Sequence, residues 1–495
     1  DLAEGSREHI LHLGSSLHLP HLPSARPREA SFRTMAAHAV RVAKRVEKDL
    51  AEKPSVKVLE PSSSTRKRPL EEDSEVKHGK WRVRAGVRAS SIRNPIREIM
   101  DTVAGKENPD KPLLSLAQGD PTCYPHLRPS EEMITAVVDA VTSMDHNGYQ
   151  PSQGSARCRA AVAEAFSAPG RPALEPSNVF MAIGCSEALS HCIAALAGGK
   201  GSNMLLPRPG FPLYQVLCEY HGVEVRYYDL LPETGWQCDI SGLKKLVDAN
   251  TCAILVNNPS NPCGAVYSRE HLVDLMGAAE ELGLPVIADE VYAGMSFSRP
   301  FVSCAAASSK VPVLSVCALS KRWLAPGWRL GWITVHDTDG AFADAKIPEA
   351  LLKLCQVSLG PSAPLQAAVP SILQATPNGC SWHTDVLAAL EASARCCVRR
   401  CRACPGLEVA AEPQGSMYLM VRIQPNVLEG IGSDDVALAG KLLQEESIAI
   451  LPGQCFCAPG YFRVVFAAPV EVLEEAWDRI EAFCRRCVVT VAPAP

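Results

Sequence analysis

The chain has 495 residues, of which 47% are hydrophobic and 21% are charged; this is the composition of a soluble globular protein long enough for two domains. Its net charge of −5 gives no reason to expect nucleic acid or an anionic membrane as a partner. No apolar run approaches the roughly 20 residues that span a bilayer. Composition therefore argues against membrane proteins and nucleic-acid-binding proteins.

The 20 cysteines favour a reducing compartment, because disulfide scaffolds are short and poor in core residues. Most of them, such as Cys252, Cys317 and Cys355, lie in apolar runs and act as small hydrophobic side chains. A C-terminal group contains two CxxC pairs, the spacing of a zinc site, but both lie in helical patterns without a glycine between the cysteines. We therefore favour helix packing over zinc for this group and predict no metal site. Its members are Cys396, Cys397, Cys401, Cys404, Cys484 and Cys487.

Residues 1–78 differ from the rest of the chain because they are polar and have too few apolar residues for a core. We predict a disordered or targeting extension. The first methionine is Met35, and we interpret residues 1–34 as a piece of a longer precursor or as upstream read-through. A basic amphipathic stretch after Met35 is soon followed by Glu47 and Asp49, whereas transit peptides contain few acids. We expect a cytoplasmic protein, with a mitochondrial one as the alternative if the extension is a transit peptide.

Residues 79–128 are predicted to form an N-terminal arm and part of a smaller domain. Pro95 in a first turn favours a helix there, and the apolar run at 113–118 predicts a strand. The strand leads to Gly119, where the lack of a side chain lets the backbone approach a ligand closely.

Residues 129–384 alternate strand and helix patterns, which is typical of an α/β domain with a mostly parallel sheet covered by helices. Residues 385–495 form the predicted smaller α+β domain. A long helical pattern near 381–404 leads into it, and a helix at about 470–487 ends it. The clearest strand patterns of the large domain are 204–207, 224–228, 253–256, 285–288 and 311–317.

In α/β sheets, ligands bind beyond the carboxyl ends of the strands, so the residues that follow each predicted strand are candidates for a site. After a strand around 178–183, Cys185 and Ser186 lie in a turn that enters a helix, and helix N-termini bind anions. Asn261 lies in a turn dense in Asn, Pro and Gly after the next candidate strand at 252–256. Ordinary turn structure is the alternative for both segments.

Asp289 and Tyr292 follow the strand at 285–288, and Lys321 follows the strand at 311–317, with Arg329 eight residues later. A carboxylate at the end of a buried strand is costly unless a cation pairs with it; a helix N-cap is the alternative for Asp289. A buried lysine can become a neutral nucleophile; a solvated basic turn is the alternative. Together these groups are the set that pyridoxal 5′-phosphate (PLP) needs, whereas a nicotinamide site would need a GxGxxG turn that the sequence lacks.

Several motifs resemble those of the tyrosine aminotransferases, a branch of the aspartate-aminotransferase-like class I enzymes that use PLP. The resemblance covers about residues 80–488. It implies a large PLP domain with a seven-stranded type of sheet, a small domain, and amino transfer from L-tyrosine to 2-oxoglutarate. The motifs lie at 80–84, 119–122, 209–211, 256–264, 288–292, 321–332 and 415–419.

The resemblance also implies a role for each matching residue. Lys321 would form the imine with the cofactor aldehyde and later move a proton between substrate and cofactor. Asp289 would pair with the ring nitrogen, and Arg463 would hold the substrate carboxylate with its bidentate guanidinium. The other implied contacts are Tyr292 and Asn261 at the ring oxygen, Phe211 on the ring face, Cys185 (through its backbone), Ser186, Ser320 and Arg329 at the phosphate, and Gly119 and Asn261 near the substrate.

Tyr149 matches a tyrosine that reaches the phosphate in the partner subunit, which implies a homodimer with shared active sites. One position departs from the family pattern: many relatives have serine three residues before the lysine, where this chain has Ala318. We expect Ser320 to compensate, with a loss of at most one hydrogen bond to a charged group, worth about 1.5–3 kcal/mol.

Other reactions on the same scaffold stay open from the sequence: cysteine-conjugate C–S cleavage, and amino transfer from alanine or nicotianamine. A catalytically inactive scaffold is disfavoured, because such proteins usually lose the lysine or the carboxylate clamp, and both are present here.

Overall fold

The computed structural model describes residues 85–489, apart from 87–88, 91 and 104. The predictions for the extension at 1–78 and for the motif at 80–84 fall outside the described residues. The division of the rest into an arm, a large domain and a small domain stays a prediction.

The described residues contain fourteen strands arranged in three sheets. The strands are β1 (Leu114–Ser115), β2 (Val179–Ala182), β3 (Asn203–Arg208), β4 (Glu224–Leu231), β5 (Gln237–Cys238), β6 (Thr251–Asn257), β7 (Val286–Asp289), β8 (Val313–Ala318), β9 (Gly331–His336), β10 (Leu407–Val409), β11 (Tyr418–Ile423), β12 (Ile448–Ala449), β13 (Leu451–Pro452) and β14 (Tyr461–Val465).

Fourteen α-helices have bounds within the described part of the chain. The helices are α1 (Pro95–Val103), α2 (Glu131–Thr142), α3 (Ala156–Phe166), α4 (Gly184–Leu196), α5 (Leu213–His221), α6 (Ile240–Lys244), α7 (Arg269–Leu282), α8 (Cys304–Ala307), α9 (Ala341–Asp344), α10 (Ile347–Ser358), α11 (Ala363–Ala375), α12 (Ser381–Ala403), α13 (Asp435–Glu446) and α14 (Val470–Cys487).

The largest sheet has the strand order β2-β9-β8-β7-β6-β3-β4-β5. The run β4-β3-β6-β7-β8 is parallel throughout, whereas β9 is antiparallel to both of its neighbours. The predicted α/β class with a mostly parallel sheet is confirmed. The eighth strand is the two-residue β5, which pairs with the edge strand β4 and is too short to show as an alternating pattern in the sequence.

Both faces of this sheet are buried, as expected for parallel strands. Leu314 and Val316 of β8 belong to the same core as the α4 residues Ala188 and Leu189. Cys317, next to Val316 on the strand, belongs to a different core, to which α3 and α11 contribute. Successive side chains on a strand point to opposite faces, so neighbouring residues of β7 and β8 face different parts of the molecule.

The smaller sheet is antiparallel, in the order β10-β11-β14-β13. Its strand β14 carries Arg463, which pairs in register with Met420 of β11. The arm joins this part of the protein because Leu114 of β1 pairs in parallel with Ile448 of β12. The predicted helices around Pro95 and over 470–487 are both present.

The cysteine group with two CxxC pairs lies on α12, just after its end, and on α14. Cys397, Cys401 and Cys484 are buried where these helices pack. Between residues 85 and 489, as described, no three His, Cys, Asp or Glu side chains come together in a way that could hold a metal ion. Likewise, none of the described helices has the length and hydropathy needed to cross a bilayer.

Candidate active site

A cavity of about 530 Å³ opens beyond the carboxyl ends of β6, β7 and β8, which is an ordinary size for a small-molecule site. Residues of the arm, the large sheet and the small sheet all contribute to its wall. It brings together every predicted site residue except Tyr149. These residues are Gly119, Cys185, Ser186, Phe211, Asn261, Asp289, Tyr292, Ser320, Lys321, Arg329 and Arg463.

Lys321 reaches this cavity from the turn that follows β8. Its Nζ donates a hydrogen bond to the backbone carbonyl of Gly119, so the amine lies between the large sheet and the arm. A Cβ atom at Gly119 would stand 2.8 Å from the hydroxyl of Tyr418. A side chain at position 119 would therefore displace Tyr418, so glycine allows the arm backbone to lie against that ring.

Asp289 ends β7 and is 3% exposed. Its Oδ2 accepts a hydrogen bond from the Tyr214 hydroxyl (2.7 Å), and its Oδ1 accepts from the Val291 N–H (3.2 Å) and from the Cys185 thiol (3.6 Å). Burial raises the pKa of Asp289, and these hydrogen bonds and the charge of Lys321 oppose that shift. The N-cap alternative is wrong, because the next helix begins only at Cys304.

The Asp289 carboxylate forms no ion pair with any described residue. A buried carboxylate without a cation is unfavourable. A protonated ring nitrogen in the cavity would supply the missing positive charge, and this is the group that PLP presents. Asp289 therefore fits the cofactor that the sequence motifs imply.

Arg463 points into the cavity from β14 and is 2% exposed. Its Nη1 donates to Asn261 Oδ1 (2.9 Å) and its Nη2 to the Ala117 carbonyl (2.6 Å). The guanidinium carbon lies 4.5 Å from the ring centroid of Tyr418 and 4.8 Å from that of Phe456. The Nε atom is buried without a partner. A buried guanidinium that no carboxylate neutralises is suited to bind the carboxylate of a substrate.

The phosphate end of the predicted site is formed by the start of α4. The helix begins at Gly184, close to the predicted start at or near Ser186, so the N–H groups of its first turn lack helical partners. Arg329 packs on this turn: its Nη2 donates to the Ile183 carbonyl (3.4 Å), and a Cβ atom at Gly184 would stand 2.6 Å from it. An arginine, a helix N-terminus and the Ser186 hydroxyl together favour an anion.

Two tyrosines at the site were not predicted from the sequence. Tyr214 donates to Asp289, and the Tyr418 hydroxyl lies 2.7 Å from the hydroxyl of Tyr292. Tyr418 lies in the motif at 415–419, which was the available signal for it, whereas Tyr214 had only its position three residues after Phe211. Burial raises the pKa of both Tyr214 and Tyr292 well above the usual value, so both hydroxyls keep their protons.

Part of the cavity wall is formed by α1 and the residue before it, which were not predicted from the sequence to contribute to the site. Asn94, Ile96 and Arg97 line it. Tyr149 lies elsewhere and is 93% exposed. Ala318, at the position where many relatives have serine, is buried in β8, while Ser320 is part of the cavity wall.

Comparisons with known proteins agree with this geometry. The family model for aminotransferase class I and II matches residues 111–480. Mouse tyrosine aminotransferase is 42% identical over 82% of this chain and 88% of its own length. Barley nicotianamine aminotransferase A is 36% identical over 80% of this chain and 86% of its own.

Among solved structures, tyrosine aminotransferase from Leishmania infantum superposes with a TM-score of 0.78 and 31% identity, covering 83% of this chain and all of its own. The family model, the sequence identities and the structural superposition all indicate the same family. The chain therefore belongs to the class I and II aminotransferase family, and it is a PLP-dependent transaminase.

Proposed function

We propose that this enzyme transfers the amino group of L-tyrosine to 2-oxoglutarate, giving 4-hydroxyphenylpyruvate and glutamate. The observation that carries the proposal is the meeting of Lys321, Asp289 and Arg463 in one cavity: an amine, an unpaired buried acid and an unpaired buried cation. Tyrosine as the donor rests on the 42% identity to the mouse enzyme of that name.

PLP, when bound, supplies an aldehyde that takes the amino group and a ring that withdraws electrons from the substrate Cα. Asp289 would keep the proton on the ring nitrogen, because its buried carboxylate has no other cation. Tyr214 would hold that carboxylate in place through its 2.7 Å hydrogen bond. Lys321 Nζ would accept the proton from the substrate Cα and donate it again, acting as the acid–base group of the transfer.

Arg463 would bind the α-carboxylate of each substrate in turn. The two substrates occupy the same cavity at different times, as a ping-pong reaction requires, and both carry this group. Asn261 holds one nitrogen of the guanidinium and Ala117 holds another, which fixes the direction in which the arginine presents its charge. Ser186, Ser320 and Arg329 would hold the cofactor phosphate, while Tyr292 and Asn261 would contact the ring oxygen and Phe211 the ring face.

We also propose a homodimer. Tyr149 is almost fully exposed, as expected of a residue that acts in the partner's site. The apolar side chains of Ile134, Val138 and Val141 on α2 are each about half exposed and follow the i, i+4, i+7 spacing of one helix face. We place the protein in the cytoplasm, because all 20 cysteines are free thiols, which suits a reducing compartment.

A spectrum and an assay test the function. The purified protein with PLP should show a visible absorption band that Lys321→Ala lacks, and it should form glutamate from tyrosine and 2-oxoglutarate. A protein that gained no such band on reconstitution would contradict the cofactor assignment. Pyruvate and ammonia released from a cysteine conjugate without an oxo acid would favour a C–S lyase instead.

Nicotianamine is a second candidate donor, because barley nicotianamine aminotransferase A is 36% identical to this chain. Comparing kcat/KM for tyrosine, alanine and nicotianamine with 2-oxoglutarate distinguishes the donors. The proposal requires tyrosine to have the highest value.

A further inference from the structure

A second cavity of about 340 Å³ lies beside β8 and β9, and none of its lining residues contributes to the active-site cavity. Its polar wall contains Glu290, Arg322, Thr334 and His336. Its apolar wall includes Phe166 of α3, together with Phe301 and Leu373. The cavity is large enough for a small organic molecule.

Two pairs of adjacent residues are divided between the active-site cavity and the second cavity. Asp289 and Lys321 line the active-site cavity, whereas Glu290 and Arg322, the next residue in each case, line the second cavity. The end of β7 and the turn that follows β8 therefore direct two neighbouring pairs of charged side chains to two different cavities.

Arg322 is the residue that indicates a ligand site in this cavity. It is 8% exposed, and its Nη2 donates to the Thr376 carbonyl (2.9 Å). Its Nε is buried without a partner, and its guanidinium carbon lies 4.4 Å from the Trp323 ring centroid. No ion pair among the described residues includes it. A guanidinium keeps its proton in proteins, so this positive charge is buried and not neutralised.

Glu290 does not neutralise Arg322, although both line the same cavity. Its Oε2 accepts from the Ser315 hydroxyl (2.6 Å) and its Oε1 from the Cys304 N–H (2.8 Å). Burial raises the pKa of Glu290 to about 7, so a substantial share of the molecules carry it uncharged at neutral pH. His336 has one ring nitrogen near the Thr334 hydroxyl (3.2 Å), while its Nδ1 is buried without a partner.

Arg463 has a similar arrangement, and the parallel rests on the role proposed for it above. It too is buried, stacked on aromatic rings, bonded to one backbone carbonyl and unpartnered at Nε, and it faces the cavity proposed to receive substrate carboxylates. We propose that the second cavity binds a small monocarboxylate, whose anionic group pairs with Arg322 and whose remainder lies against Phe166 and Phe301. A single cation suits a monoanion, since a phosphate dianion would leave one negative charge without a partner in the buried cavity. The planar fork of arginine matches a carboxylate better than a halide ion.

Thermal unfolding of the PLP-loaded protein in sodium acetate and in sodium chloride of equal ionic strength tests the proposal. Because acetate can also bind at Arg463, the experiment uses Arg463→Gln as the background. To it are added either Arg322→Gln or, as a matched control, Arg269→Gln, an exposed arginine at the start of α7.

Acetate at about ten times its dissociation constant should raise the melting temperature of Arg463→Gln, and of the double variant with Arg269→Gln, by roughly 2 °C over chloride. The double variant with Arg322→Gln should show no rise. An equal rise in all three proteins, an equal effect of chloride, or no acetate effect in the Arg463→Gln background would overturn the proposal.

If the Arg322→Gln protein fails to fold, crystals of the unmodified enzyme soaked in acetate give an independent answer. Density for a planar four-atom group within hydrogen-bond distance of the Arg322 guanidinium is expected. Density for water alone at that position would overturn the proposal.

Discussion

Two buried arginines of this protein, Arg463 and Arg322, have similar surroundings but lie beside different chemical groups. Each is more than nine-tenths buried and stacked on an aromatic ring, and each has an unpartnered Nε. Arg463 shares its cavity with the amine of Lys321 and the carboxylate of Asp289. Arg322 shares its cavity with Glu290 and His336 but with no lysine. On the proposed roles, a buried guanidinium is enough to bind a carboxylate, whereas changing the bound molecule also requires the lysine and the acid.

The largest expected effect is on turnover, and it distinguishes Asp289, the proposed partner of the ring nitrogen, from Arg329, a proposed phosphate ligand. Asp289→Asn should lower kcat on the order of 10³-fold at saturating PLP, because it removes the charge that stabilises the protonated ring nitrogen. Arg329→Gln should chiefly weaken PLP binding, by the roughly 1.5–3 kcal/mol of one charged hydrogen bond. Titrating PLP into each variant and measuring kcat separates the two effects. Equal turnover of both variants under saturating PLP would show that Asp289 lacks the proposed role.

The next effect compares the two arginines directly. Arg463→Gln should lower kcat/KM for both tyrosine and 2-oxoglutarate several hundred-fold, about 3.5 kcal/mol, since both substrates lose their carboxylate partner. The loss should exceed that of Arg322→Gln by at least about tenfold, because Arg322 does not line the active-site cavity. Steady-state kinetics with each substrate varied in turn gives these values. A larger loss in Arg322→Gln would mean that the cavities have been assigned the wrong way round.

The smallest expected effect concerns the free energy of unfolding and its dependence on the ionisation of Glu290, the neighbour of Asp289. The pKa of Glu290 is raised by burial from 4.5 in the unfolded chain to about 7 in the folded one, with a smaller contribution from the charge of Asp289. The folded state therefore binds more protons at Glu290 between these values, and the contribution of Glu290 to stability falls as pH rises from 4.5 to 7, by at most about 3 kcal/mol. Glu290→Gln removes this dependence, because its amide can accept from Cys304 and donate to Ser315.

Urea unfolding of the wild type and Glu290→Gln at several pH values measures the difference, with the exposed Glu164→Gln as the control. The stability of Glu290→Gln relative to the wild type should increase as pH rises. Burial lowers the pKa of His336 from 6.5 to about 4, so its contribution to stability is lost as pH falls through that window. This opposite effect of His336 is present in the wild type and in Glu290→Gln, so it cancels in the difference between their free energies of unfolding. A constant difference across pH would contradict the raised pKa of Glu290.

Much of the site could be predicted from the sequence because its residues follow strands. Asp289 and Lys321 come directly after apolar runs, and the strands of an α/β sheet bring their carboxyl ends to one edge. The final helix was predicted at about 470–487 and is observed over Val470–Cys487. The helix predicted to begin at or near Ser186 is observed from Gly184.

The contacts of Tyr214 and Tyr418 were missed for a physical reason. Tyr214 meets Asp289 across 75 positions and Tyr418 meets Tyr292 across 126. Such hydrogen bonds depend on how helices and sheets pack, and no spacing along the chain encodes them. The same holds for the second cavity, which α3, the ends of β7 and β8, and the end of α11 create only when they pack together.

The sequence by itself determined the fold class, the family and the order in which an anion-binding turn, an acid, a lysine and two arginines occur along the chain. These features follow from local patterns of apolar and polar residues. Only the tertiary structure decided which cavity each side chain enters. Adjacent residues such as Lys321 and Arg322 line different cavities because the turn after β8 directs their side chains apart, and what surrounds each cavity is set by distant parts of the chain.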